Sequence, residues 1–227
     1  MGAAAQKVTG LGSDDDKIVY VCSTVKVLTD EGTVDFGGAT LQRLMMNDLE
    51  IGPLVEGQSG GITLQNVTFD GLYGSAKNTG SQTGLLAMSG GSVTLGTGVT
   101  LQNHDTKTGP VVVVSGGSLT MANGSKLTNN ILNRDSLSTG GCVLWVQDGT
   151  FNLQSGASIS ANKEPSGTAT GQQTVRVSGG VCNLSGGSIF GNTARFFGAI
   201  RQSGGTINMT GGSIYSNTAS TGEDNGR

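Results

Sequence analysis

A glycine-led repeat constrains this chain more than any other feature. The dipeptides Gly90-Gly91, Gly116-Gly117, Asp148-Gly149, Gly179-Gly180 and Gly204-Gly205 head five similar segments: GGSVTLGTGVTLQN, GGSLTMANGSKLTN, DGTFNLQSGASISAN, GGVCNLSGGSIFGN and GGTINMTGGSIYSN. Successive heads lie 26, 32, 31 and 25 residues apart, and Gly60-Gly61 opens ITLQNVTFDG in the same way 30 residues before Gly91. A period of this size makes each unit one supersecondary element that buries its apolar face only by stacking on its neighbours.

The spacing inside each unit chooses strands over helices. Two and four residues after the head glycine stand Val93 and Leu95, Leu119 and Met121, Phe151 and Leu153, Cys182 and Leu184, Ile207 and Met209, with mostly polar residues between them. That is a period of two, the alternation of a strand with one buried face. A second strand precedes each head and turns Leu86 and Met88, Val112 and Val114, Leu144 and Val146, Val175 and Val177, then Ile200 and Gln202 inward. A third, shorter strand carries Leu101, Leu127, Ile159, Ile189 and Ile214 inward before an asparagine column at Asn103, Asn129 or Asn130, Asn162, Asn192 and Asn217. Asparagine tolerates the left-handed backbone, and its amide can bond the asparagine one coil away. The expected architecture is all-β: a single-stranded right-handed parallel β-helix of three short strands per coil and 25–32 residues per coil. Its handedness follows the general preference of parallel crossovers.

Composition agrees and narrows the function classes. With 40 glycines in 227 residues and 13% charged residues, long helices are disfavoured, and the glycines lack the every-third-residue period of collagen. A net charge of −3 supplies no basic stripe for nucleic acid, and no apolar run is long enough to insert into a membrane as a helix. Cys22, Cys142 and Cys182 are odd in number and widely spaced, so they are expected to be buried thiols rather than a disulfide or zinc framework. The glycine turns lack the aspartates of a calcium-binding repeat, and no cofactor or metal motif is present in the sequence. The outward Ser, Thr and Asn set lacks the regular paired threonines expected of an ice-binding face. Residues 1–17 are expected to form a polar tail or partial coil, 18–83 irregular N-terminal coils including LQRLMMNDLE, and 84–227 the regular coils. The solenoid is expected to continue past the C-terminal end.

The segments GGSIFGNTA, GGTINMTGGSIYSNTAS and DGTFNLQSGASISAN resemble the repeats of bacterial cell-surface proteins with parallel β-helices. The resemblance covers residues 84 to 220 well and 18 to 83 loosely. It implies a secreted or surface-attached, adhesin-like protein whose fold is shared with the pectate-lyase superfamily. A non-catalytic stalk or binder of glycans or host surfaces is therefore expected. A carbohydrate-active lyase or hydrolase with weak or missing catalytic coils is the alternative.

Candidate site residues follow from what faces outward. Four residues before each head the column reads Ala87, Val113, Trp145, Arg176 and Arg201, placing the only tryptophan beside an arginine one coil along. Trp and Arg are enriched at binding hot spots, and a guanidinium stacks well on an indole. Two insertions, residues 130–141 and 162–173, are expected to enlarge one corner in adjacent coils, which adds Arg134, Asp135 and Glu164 as candidates. A catalytic reading has only Asp105 and Glu164, expected two coils and about 9.6 Å apart at a 4.8 Å strand spacing. Both are expected to be exposed loop acids. His104, the only histidine, is expected to face solvent, and no nucleophile stands at a spacing that would complete a triad with it.

Overall fold

The computed structural model describes residues 17–43, 52–72, 84–106, 109–132, 141–164 and 173–219. In chain order the strands are β1 (Ile18–Val21), β2 (Val25–Val27), β3 (Gly32–Arg43), β4 (Val55–Gly57), β5 (Gly61–Asp70) and β6 (Leu86–Leu95). They continue as β7 (Thr100–Gln102), β8 (Val112–Met121), β9 (Lys126–Thr128), β10 (Leu144–Val146), β11 (Thr150–Leu153) and β12 (Ser158–Ser160). The last are β13 (Gln173–Val177), β14 (Val181–Phe190), β15 (Thr193–Ala194), β16 (Phe197–Gln202), β17 (Thr206–Tyr215) and β18 (Thr218–Ala219). Every pairing among them is parallel and joins a strand to its counterpart one coil away, so the fold is a parallel β-solenoid. No helix occurs among the described residues.

The alternation expected from the sequence is present and extends toward the N-terminus. On the first face Val25, Val55, Leu86, Val112, Leu144, Val175 and Ile200 stack in one inward column. On the second, Val34, Leu64, Leu95, Met121, Leu153, Leu184 and Met209 form another. On the third, Leu41, Phe69, Leu101, Leu127, Ile159, Ile189 and Ile214 do the same. Each fully buried Leu, Ile, Val or Phe in these columns contributes about 1.5–3 kcal/mol relative to exposure, so the core is continuous along the axis. In the last described coil Met209 is 51% and Ile214 39% exposed.

Two of the corners obey different rules. At the head corner the glycine is required, as at Gly149, whose φ is +70° and whose added Cβ would lie 2.7 Å from the backbone of Gly116 and Gly117 in the neighbouring coil. After the third strand the chain also enters the left-handed region, at Asn103, Asn129, Ala161, Gly191 and Ser216 (φ 53° to 61°), but there the side chain varies.

This second corner corrects the asparagine column. The stacked rungs are Asn130, Asn162, Asn192 and Asn217, one residue beyond the left-handed position. Asn130 donates from its backbone N and from Nδ2 to Asn162 Oδ1 (3.0 and 2.9 Å), Asn162 does the same to Asn192, and Asn192 to Asn217. The amides also donate inward to Leu101, Leu127, Ile159 and Ile189 carbonyls. Asn103 and Asn129 are instead the left-handed turn residues. The rung before Asn130 is His104, which is buried, not solvent-facing, and donates its backbone N–H to Asn130 Oδ1 at 3.0 Å. A left-handed residue and a rung residue are both chemically suited to Asn, which is why counting asparagines alone misplaces the column.

Two further expectations change. Cys142 and Cys182 are buried, and burial pushes the Cys182 thiol up to about 12, but Cys22 is exposed. The corner insertions begin later than expected, because Asn130 and Asn162 are buried rungs and Ile131 pairs with Lys163 in the ladder.

Candidate functional site

The outward column of the first face runs Lys26, Glu56, Ala87, Val113, Trp145, Arg176, Arg201, one residue per coil. These side chains alternate with the inward Val and Leu of the same strands, so the rigid core sets their spacing at about 4.8 Å. At the N-terminal end Glu56 accepts a hydrogen bond from Ser89 Oγ at 2.9 Å. Ala87 and Val113 are small, so the middle of the column is shallow and neutral.

Trp145 interrupts that shallow surface. Its Nε1 donates to Ser178 Oγ at 2.8 Å, which fixes the indole against the next coil. The Arg176 guanidinium lies over the ring, 4.4 Å from its centroid, and its Nε is buried with no hydrogen-bond partner. One coil on, Arg201 sits 5.3 Å from the Phe197 ring, and on the adjoining corner Arg195 stacks 4.9 Å from Phe196. The C-terminal coils therefore concentrate three guanidinium–aromatic pairs. The Trp145 to Arg201 stack is legible in the sequence once the strand register is known. Phe197 was missed, although Phe197 and Arg201 share strand β16.

Arg134 and Asp135 lie outside the described residues. Glu164 does not join the Trp145 stripe but sits at the corner after the asparagine rung. There it follows Lys163 and hydrogen-bonds through its N–H to the Thr193 carbonyl, in the same position of its coil as the buried Leu132 and Ala194. It is half-buried rather than exposed, and its Oε2 is buried without a hydrogen-bond partner. Burial raises its pKa, and the nearby Arg195 charge partly offsets that. Asp105 is at a different position: it follows the His104 rung and pairs with Ile131, which pairs with Lys163. The two acids thus occupy different columns, and the two-coil carboxylate pair expected from the sequence does not form in that register.

His104 has the clearest electrostatic signature. Its Nε2–H donates to the Gly109 carbonyl at 3.2 Å. Burial pushes its pKa down to about 4, opposed by that hydrogen bond and by the Asp105 charge. A constant spacing would have revealed its place: the rung residue stands three positions after the inward third-strand residue at Leu101, Leu127, Ile159, Ile189 and Ile214 alike.

No group of three or more His, Cys, Asp or Glu that could hold a metal occurs among the described residues. No helix of the described chain is long and apolar enough to cross a membrane.

Family models, curated proteins and solved structures contain no match to this chain.

Proposed function

We propose that this protein is a non-catalytic recognition solenoid of a bacterial surface or secreted, adhesin-like protein, working outside the cell as a stalk that also binds glycans or host surfaces. The observation that carries this reading is the Trp145–Arg176 stack, an indole fixed by Ser178 with a guanidinium over the ring, beside the shallow stretch formed by Ala87 and Val113. A sugar ring resting on such a surface gains apolar and cation contacts from a platform already ordered before binding. Large side chains cost entropy to order, and here the solenoid core has ordered them.

A glycan array with the wild-type chain and Trp145→Ala tests this, with the same glycans followed for cleavage. Binding lost in the variant without turnover is the expected result. No glycan binding in the wild type would overturn it.

The carbohydrate-active alternative has one observation in its favour, the partly desolvated carboxyl of Glu164 beside Arg195, since a raised pKa suits a general acid. Turnover abolished by Glu164→Gln would favour that alternative.

A further inference from the structure

We infer that Arg176 and Arg201 form a paired anion clamp and that the stripe takes an acidic polysaccharide, one bearing carboxylate or sulfate groups. This rests on the recognition reading above and names its ligand class.

The two arginines are register partners on β13 and β16, so their backbones are one strand spacing apart on the same outward face. Like charges on side chains of adjacent strands disfavour each other, and salt screens that repulsion only in part. Proteins usually relieve such a pair with a carboxylate. Here no ion pair or hydrogen bond engages either guanidinium among the described residues, and the acid of the same column, Glu56, lies four coils before Arg176 and is held by Ser89. In a chain of net charge −3 this local excess of positive charge is not a product of bulk composition.

Both groups also have aromatic partners. The Arg176 guanidinium lies over Trp145 at 4.4 Å and that of Arg201 over Phe197 at 5.3 Å, so each gives up less rotamer freedom when an anion arrives. With its Nε turned into the protein, Arg176 leaves its terminal amino groups to present the forked geometry that suits carboxylate and sulfate.

The shape of the stripe favours a polysaccharide over an acidic peptide. It runs along the face of the sheet, where the backbone groups already pair within the solenoid, so it offers a peptide no free edge to extend. A pyranose chain carries its own apolar ring faces, which suit Trp145 and Val113, and its acidic groups recur along its length. Ala87 and Val113 add little height to the column beyond Trp145.

The test is calorimetric titration of the full chain with short fragments of hyaluronan (carboxylate only), chondroitin sulfate (carboxylate and sulfate), neutral chitin, and an oligoglutamate peptide, each at low and high salt. The expected result is that an acidic glycan binds more tightly than chitin, that high salt weakens it, and that Arg176→Gln and Arg201→Gln each lower its affinity about tenfold or more at unchanged melting temperature. Arg201→Lys should retain part of the affinity, because it keeps charge and loses the fork. Chitin bound as tightly as the acidic glycans, insensitive to salt and lost in Trp145→Ala, overturns the clamp while leaving the recognition reading intact. Failure to bind any glycan overturns both. Oligoglutamate bound more tightly than every glycan overturns the polysaccharide as ligand.

Discussion

At pH 7 the imidazole of His104 is neutral, because burial holds its pKa at about 4. In the unfolded chain the same group titrates near 6.5. Between these values the unfolded state binds more protons, so the stabilisation is complete above the unfolded pKa and is lost as pH falls toward 4, by roughly 3 kcal/mol in total. The urea midpoint should therefore drop between about pH 7.5 and about pH 4.5. His104→Asn should flatten that dependence, since an amide at this rung extends the ladder with no titrating group. Asn162→Ala should be costly at every pH, because it strands the buried Asn130 N–H, worth about 1–3 kcal/mol when unpaired, and removes the amide bond to the Leu127 carbonyl. Denaturant titration measures this; an unchanged midpoint would remove the ladder from the list of stabilising features. The site was legible at this scale only in part. Trp145, Arg176 and Arg201 followed from strand period alone, whereas for His104 and Glu164 the spacing marks a position at the corner but a polar letter there does not tell that the position is desolvated.

Strands and corners carry a different lesson. The inward columns were legible because alternation and stacking impose the same demand on every coil, so errors in one repeat are corrected by the next. Leu153, between Met121 and Leu184, is a direct probe: Leu153→Asp places an unpaired carboxylate in a fully buried column and should abolish the cooperative β-sheet melt by circular dichroism. A normal melt would mean the register is wrong. The two corners should also separate by mutation. Gly191→Ala meets nothing within 4 Å and occupies the position where Ala161 already sits at φ 54°, so it should cost about 1–2 kcal/mol, the left-handed penalty alone. Gly149→Ala has the same penalty and also drives a methyl into the backbone of the coil before it, so its loss of melting temperature should be clearly larger. Equal losses would show that the head corner is not closely packed.

For the molecule as a whole, each coil touches only the coils before and after it, and local stability follows how many sides are covered. Residues of β16, β17 and β18 should exchange their amide hydrogens faster than those of the central strands β8 to β12, since Met209 and Ile214 are open to solvent while their counterparts Leu153 and Ile159 are not. Uniform protection along the axis would contradict that gradient. The parallel ladder has a mechanical consequence as well. The bonds joining coil to coil lie along the axis, so a pull applied at the two ends loads the terminal rung alone and peels the solenoid like a zip. Each coil of about 30 residues gives up one rung of about 4.8 Å and pays out roughly 100 Å of extended chain. A tether of this design yields in long, small-force steps, absorbing a sudden load as length rather than passing it on.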